Sequence, residues 1–104
     1  MRVDLRGVDL TNANLRGADL QHANLEGAIL TGADLREANL RGANLRNADF
    51  TYSNLWGADL REANLNGTLL YPAEMIGAKF CGAGFRGGRI FADGSARNVP
   101  TNEN

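Results

Sequence analysis

A large apolar residue stands at every multiple of five from position 5 to position 90 of this 104-residue chain. The pattern is unbroken over 18 positions, and a small residue, most often alanine, stands two places before each large one. Asp or Asn usually separates the two, and Gly is the commonest residue two places after the large one. The repeating unit is therefore Ala-(Asp/Asn)-Leu-X-Gly, and it constrains the fold more than any other feature.

A period of five residues suits neither a helix nor a long strand. Positions five apart rotate around an α-helix without forming one apolar stripe, and glycine at this density opposes helix formation. In one long strand successive large residues would point to opposite faces. The period is satisfied if the chain turns a corner after every five residues. The small and the large residue then point inward, the Asp or Asn between them points outward, and Gly or Asn occupies a corner where positive φ is favoured.

These repeats resemble the pentapeptide-repeat family, as in Ala18-Asp19-Leu20, Ala43-Asn44-Leu45 and Ala58-Asp59-Leu60. The resemblance covers residues 3 to about 92. It implies an all-β fold, the right-handed quadrilateral β-helix with four repeats per coil. Eighteen repeats then make about 4.5 coils of 20 residues. We expect residues 1–92 to form this solenoid and residues 93–104 to form a turn and a polar, mobile tail.

The positions of the carboxylates favour four sides independently of the resemblance. Coils of a solenoid stack about 4.8 Å apart, so like charges in one column repel each other. With 15 residues per coil Asp19 would stack on Asp34, and with 25 Asp34 would stack on Asp59. With 20, no two of the carboxylates that precede a core residue are neighbours. Residues 32–40 recur identically at 57–65, an offset of 25 that we interpret as a duplication, since it keeps every inward residue inward.

Composition limits the classes of partner. Eleven basic and 12 acidic side chains give a formal net charge of −1, so no basic surface for nucleic acid is indicated. No stretch approaches the roughly 18 apolar residues of a membrane helix, and the first residues lack the apolar segment of a signal peptide. We therefore expect no nucleic-acid or membrane partner, and a cytoplasmic location.

The sequence predicts a protein that is not an enzyme and that holds no cofactor and no metal. Its single histidine, His22, is expected to be solvated at an outward corner. Its single cysteine, Cys81, excludes an internal disulfide, and a nucleophile there would lack a neighbouring base. The carboxylates are distributed one per repeat and do not converge, as general acid–base catalysis would require.

Division of the sequence by 20 separates four faces, of which the first begins at Leu5 and the others follow at five-residue steps. The first, third and fourth faces are polar and mixed in charge. The second has no charged residue just after its core residues, and Ile29 and Leu69 replace the usual Asp or Asn, so two aliphatic side chains are expected to point into solvent. The candidate residues for this face are Thr11, Ile29, Thr31, Thr51, Tyr52, Leu69, Tyr71 and Phe91.

Two interpretations of the second face stay open. It can bind a protein partner or form a homodimer, or it can be a solvated ladder of good strand-forming residues. Trp56 on the third face is interpreted as an exposed ladder residue or, together with Tyr52, Tyr71 and Phe91, as an anchor for a protein partner.

The two ends of the solenoid require protection of core and backbone. The pattern begins in register at Val3, so this end is open, stacked on another subunit, or continued by further chain. Near the other end we expect Phe85, Ile90 and Phe91 to plug the last coil, with an end-to-end dimer contact as the alternative.

The leading functional hypothesis is a structural or interaction module that presents flat faces to a protein partner. One alternative is the branch of the family that mimics duplex DNA and protects type II topoisomerases. Such members are strongly acidic along their faces, whereas residues 1–92 hold ten basic and ten acidic side chains, the totals less Arg97, Asp93 and Glu103. A second alternative is a spacer or targeting module of a larger protein.

Overall fold

The computed structural model describes residues 2–70 and 72–84, which form a right-handed quadrilateral β-helix with 20 residues per coil. The sides carry parallel β-bridges one residue long, and the described residues contain no helix and no longer strand. Each bridge joins a residue to the one 20 positions later. The bridges form four ladders: Asp4, Asn24, Asn44, Asn64 and Gly84; Asp9, Ile29, Asp49 and Leu69; Asn14, Asp34, Asn54 and Glu74; Asp19, Asn39, Asp59 and Lys79.

The 20-residue register confirms the four-sided coil that the spacing of the carboxylates predicted. Asp34 lies between Asn14 and Asn54, and Asp59 follows Asn39 in its ladder. Within the described part of the chain, no ladder carboxylate has another carboxylate as its ladder neighbour. The like-charge contacts of a three- or five-sided coil are thereby avoided.

Three hydrogen bonds per repeat join successive coils, as the repeat around Leu35 illustrates. Its Leu35 N–H donates to Asn54 O at 2.8 Å, Glu37 N–H to Trp56 O at 2.8 Å, and Asp34 N–H to Ala13 O at 2.9 Å. A fourth bond stays within the turn, where Ala38 N–H donates to Leu35 O at 3.0 Å. The backbone of each interior coil is therefore largely satisfied by its two neighbours, as buried backbone requires.

Leucines and alanines fill the core. Every large-residue position from Leu25 to Leu70 is completely buried, and Phe50 is the aromatic member of that series. Burial of each such side chain stabilises the fold by about 1.5–3 kcal/mol. The large residues of the first coil are only partly buried, because one side of that coil lacks a neighbour among the described residues. Ser53 and Thr68 are the buried polar residues of the described core.

The Asp or Asn before each core residue has a role that its outward position did not reveal. Its side-chain oxygen accepts a hydrogen bond from the N–H two residues later, as from Trp56 N–H to Asn54 Oδ1 at 3.0 Å and from Arg36 N–H to Asp34 Oδ1 at 3.1 Å. These N–H groups lie in the turns, where the bonds between coils do not reach them. The side chain therefore satisfies the turn in the manner of an Asx turn.

Positive φ at the corners was also predicted and is confirmed, at 69° for Gly42 and 62° for His22. The predicted end of the solenoid at residue 92, the tail 93–104 and the candidate plug of Phe85, Ile90 and Phe91 lie outside the described residues. Within the described ranges, no helix is long and apolar enough to cross a membrane.

Candidate functional site

The ladder positions of the second face present less apolar surface than the sequence indicated. Ile29 points outward and is 39% exposed. Leu69, however, is half-buried rather than exposed, and it follows Asp49 in the same ladder. Only one of the two expected aliphatic side chains is therefore freely presented.

The threonine positions of the second face are polar and partly occupied in local contacts. The Thr11 hydroxyl donates to Asp9 Oδ1 at 2.6 Å, and Thr31 and Thr51 are half-buried. Tyr71 and Phe91 lie outside the described residues. Tyr52, at the corner that leads from the second face to the third, is 74% exposed, more than any other large apolar residue among those described.

The third face, which was predicted to be polar and mixed in charge, carries large exposed apolar side chains. Trp56 is 46% exposed and Ile76 is 66% exposed. The bond from Gly57 N–H to Ile76 O, at 2.9 Å, fixes their register, so the two residues lie in one column about 4.8 Å apart. The missed signal was available in the sequence, because positions 16, 36, 56 and 76 are Arg, Arg, Trp and Ile.

A shallow groove of about 400 Å³, here called the Trp56 groove, follows this column. A second depression, of about 430 Å³, lies at the corner beside Tyr52 and Pro72. Asn54 and Glu74 line both, so Tyr52 and Trp56 flank one continuous surface. The residues that line the Trp56 groove are Arg16, Arg36, Asn54, Trp56, Glu74 and Ile76.

The two arginines of the groove differ in their pairing. Arg36 donates from Nε and Nη2 to the two carboxylate oxygens of Asp34, at 2.8 and 2.6 Å. Hydrogen bonds from the Arg36 side chain, and then from its backbone, lower the pKa of Asp34 to about 2. Arg16 follows Asn14, whose Oδ1 accepts only the Arg16 backbone N–H, at 3.2 Å. The charge of Arg16 is the smallest of the contributions that lower the pKa of Asp34.

The opposite end of the groove has the opposite charge. Glu74 precedes Met75 and is exposed, and its Oε1 accepts the Ile76 N–H at 3.1 Å. The groove is therefore positive around Arg16 and Arg36, apolar around Trp56 and Ile76, and negative at Glu74. An elongated ligand would meet these three environments in order along the solenoid axis.

The residues with potential for chemistry lie apart from the groove. His22 is exposed at a corner, and Cys81 is exposed on the fourth face, in the column of Arg61. A depression of about 500 Å³ on the first coil contains His22 with Asp19, Gln21, Arg2 and Val3. Among the described residues, no three histidine, cysteine or carboxylate side chains are grouped so that they could hold a metal ion.

Comparison with known sequences gives the family. The profile of the Pentapeptide repeats family matches residues 1–36, 28–67 and 54–87, with eight copies of the repeat. The chain belongs to the pentapeptide-repeat family. No protein of curated function matches this pentapeptide-repeat chain in sequence.

Solved pentapeptide-repeat structures share its fold. One from Nostoc Pcc 7120 is 36% identical with a TM-score of 0.76, and the match covers 86% of this chain and 78% of that one. Rfr23, a pentapeptide repeat protein from the cyanobacterium Cyanothece 51142, is 35% identical with a TM-score of 0.50, covering 81% of this chain and 63% of Rfr23. The present chain thus spans less than two thirds of Rfr23.

The comparisons also reach a fluoroquinolone resistance protein. A trypsin-treated form of QnrB1, which is plasmid-mediated, is 17% identical with a TM-score of 0.32, covering 85% of this chain and 66% of that one. At this distance the likeness carries no argument about the function of the present pentapeptide-repeat protein.

Proposed function

We propose that this pentapeptide-repeat protein is a non-enzymatic interaction module whose Trp56 groove contacts a protein partner. The observation that carries the proposal is the exposure of Trp56 and Ile76 in one column, continuous with Tyr52 at the adjacent corner. Exposed apolar patches on soluble proteins commonly mark interaction sites, and Trp and Tyr dominate the binding energy of protein interfaces.

The groove is well suited to binding because its anchors are already positioned. The backbone N–H of Trp56 donates to Asn54 Oδ1 at 3.0 Å and its backbone carbonyl accepts from Glu37 N–H at 2.8 Å, while the preceding Leu55 is completely buried. The backbone that carries the indole is thus fixed before a partner arrives. Preorganisation of this kind reduces the conformational entropy lost on association.

The charges around the groove favour a protein over a nucleic acid or a nucleic-acid mimic. Arg16 and Arg36 would interrupt the row of negative charge that a mimic of DNA needs. Glu74 and the paired Asp34 would likewise interrupt a phosphate-binding surface. The non-enzymatic part of the proposal is supported by the separation of His22 and Cys81 from the groove.

Quantitative affinity capture tests the proposal. The full chain and its Trp56→Ser, Ile76→Ser double variant are immobilised and exposed to extract of the organism that carries the gene. Ile29→Ser is the matched control, since it removes an exposed aliphatic side chain from the second face.

The proposal predicts at least one protein that the wild type and Ile29→Ser retain equally and the double variant loses. Equal retention of all captured proteins by the double variant would contradict it. Loss with Ile29→Ser alone would instead assign binding to the second face.

A further inference from the structure

We propose that the Trp56 groove binds a protein segment in the polyproline II conformation in which an Asp or Glu and a large apolar residue are three positions apart. The acidic side chain lies over Arg16 and Arg36, and the apolar side chain lies against Trp56 and Ile76. The inference rests on the proposed function and adds the chemical class of the partner.

The unequal pairing of the arginines assigns the acidic residue. Asp34 engages Arg36 through both carboxylate oxygens, while Arg16 has only Asn14 before it and makes no side-chain ion pair among the described residues. The Arg16 guanidinium is exposed one coil from Arg36, and both oxygens of the nearby Asp34 are already bound by Arg36. A carboxylate from a partner would complete the pair, and charge-assisted bonds to arginine are the stronger kind.

The register of the coils sets the spacing between the two anchors. Arg16, Arg36, Trp56 and Ile76 occupy consecutive coils about 4.8 Å apart, so the middle of the arginine pair and the middle of the apolar pair are about 9.6 Å apart. A polyproline II chain rises about 3.1 Å per residue with three residues per turn, so two side chains three positions apart lie on the same edge about 9.3 Å apart. An acidic and an apolar side chain three positions apart therefore match the two halves of the groove.

Glu74 gives the segment a fixed orientation. It lies beside Ile76 at the apolar end, and its carboxylate would repel an acidic residue placed there. Only one placement puts the acidic side chain over the arginines and leaves the apolar side chain against Trp56 and Ile76. In the reversed placement the acidic side chain would lie beside Glu74 and the apolar side chain would lie over the arginines, and both contacts are unfavourable.

No other column of the described chain combines these features. Arg46 on the first face also follows an asparagine, Asn44, but Glu26 lies one coil before it and no exposed apolar side chain adjoins it. On the fourth face Arg61 is paired with Asp59 and Arg41 lies 3.5 Å from Glu62. Arg46 is therefore a matched control for Arg16, because it has the same chemistry and local setting away from the groove.

A selection experiment identifies the preferred segment directly. A phage-displayed library of random twelve-residue peptides is selected on the immobilised full chain, and clones that also bind the Ile76→Ser variant are removed. We expect the remaining clones to carry an acidic residue and a large apolar residue three positions apart. The most enriched peptide is then synthesised and titrated against the chain with the fluorescence of Trp56, its single tryptophan, as the signal.

The titration separates the charge from the apolar contact. Arg16→Gln should weaken binding about three- to fivefold, the effect of one exposed ion pair, whereas Arg46→Gln should leave it unchanged. Ile76→Ser should weaken it about tenfold and Ile29→Ser should not.

Peptides that need Ile76 but tolerate Arg16→Gln and the replacement of their own acidic residue would overturn this inference and leave the proposed interaction surface intact. Failure to select any peptide that depends on Ile76 would also overturn this inference, whereas the proposed function is decided by the affinity capture.

Discussion

The imidazole of His22 occupies the space that a β-carbon on Gly42 would need. Cε1 of the ring lies 2.6 Å from that position, and Gly42 has a φ of 69°. The corner residue of one coil thus covers the corner of the next, where glycine is favoured for two reasons: the positive φ and the neighbouring side chain.

The same relation holds along the other corners. Five of the six non-glycine residues with positive φ precede a glycine by 20 positions: Asn12, His22, Glu37, Asn47 and Glu62. The sixth is Tyr52, which precedes Pro72, and here the Tyr52 N–H donates to Pro72 O. Tyr52 is thus the member of this set that is not followed by a glycine 20 positions later, and it lies next to the Trp56 groove.

Substitution of corner glycines should separate the effect of positive φ from the effect of the side chain in the preceding coil. Gly27→Ala has open space around the new β-carbon and should lose about 1 kcal/mol of unfolding free energy for the positive φ alone. Gly42→Ala should lose about 0.5 kcal/mol more, because the His22 ring must move. Urea unfolding of both, repeated with His22→Ala, provides the measurement. An extra loss that persists without the imidazole would show that His22 is not its cause.

The two buried hydroxyl groups should respond in opposite ways to removal. Thr68 Oγ1 donates to Leu45 O at 2.8 Å, whereas Ser53 Oγ has no hydrogen-bond partner among the described residues. Thr68→Val should therefore lower the free energy of unfolding by about 1 kcal/mol, and Ser53→Ala should leave it unchanged or raise it by up to about 1 kcal/mol. Thermal unfolding compares them, and a loss with Ser53→Ala equal to that with Thr68→Val would refute the assignment.

The ladder position of Ile29 offers a test of both the turn hydrogen bond and the register. Ile29→Asn supplies an oxygen for the Thr31 N–H and should raise the free energy of unfolding by about 0.5 kcal/mol. Ile29→Asp supplies the same oxygen but lies between Asp9 and Asp49, so it should be about 1 kcal/mol less stable than Ile29→Asn. Urea unfolding should show this gap at low salt and a smaller one at 1 M NaCl. Equal stability of the two variants at low salt would contradict the placement of position 29 between Asp9 and Asp49.

Acid should weaken the fold through the paired carboxylates. The pKa of Asp34 is lowered from 3.8 to about 2 by hydrogen bonds from Arg36, and that of Asp4 is lowered to about 2 by Arg6. Unfolded chains take up these protons near pH 3.8 and the folded chain only near pH 2, so stability is complete above pH 4 and falls as the pH decreases from about 4 to 2. Asp34→Asn should show a shallower fall of melting temperature over this range. A fall parallel to the wild type would exclude a contribution from Asp34.

The interior of the fold could be predicted almost completely from the sequence. The five-residue period selected the inward residues, and the separation of Asp34 from Asp59 and the other carboxylates selected the 20-residue coil. The corner glycines contain the same information, because Gly42 follows His22 by 20 positions whereas offsets of 15 and 25 place Glu37 and Asn47 there. The sequence pattern predicts the interior well because every repeat packs in the same way.

The candidate site was harder to predict, because exposure depends on neighbours as well as on residue type. Leu69 and Ile76 are both outward aliphatic residues, yet Leu69 lies in a bridged ladder and is half-buried, while Ile76 follows its core residue into the turn and is 66% exposed. Leu69 was predicted to be exposed because it replaces the usual Asp or Asn, whereas Ile76 replaces no such residue and was not singled out. The hydrogen bond that favours Asp or Asn at the ladder position was not predicted either, since it depends on turn geometry.

Chemical-shift mapping tests the central claim most directly. The chain labelled with ¹⁵N is titrated with the partner captured by the wild type, and perturbed amide signals are placed on the β-helix. The Trp56 groove predicts the largest changes at Tyr52, Trp56, Ile76 and the Trp56 indole N–H, with smaller changes at Arg16 and Arg36. Changes centred on Thr11, Ile29 and Thr51, with the Trp56 indole unmoved, would contradict it and assign the partner to the second face.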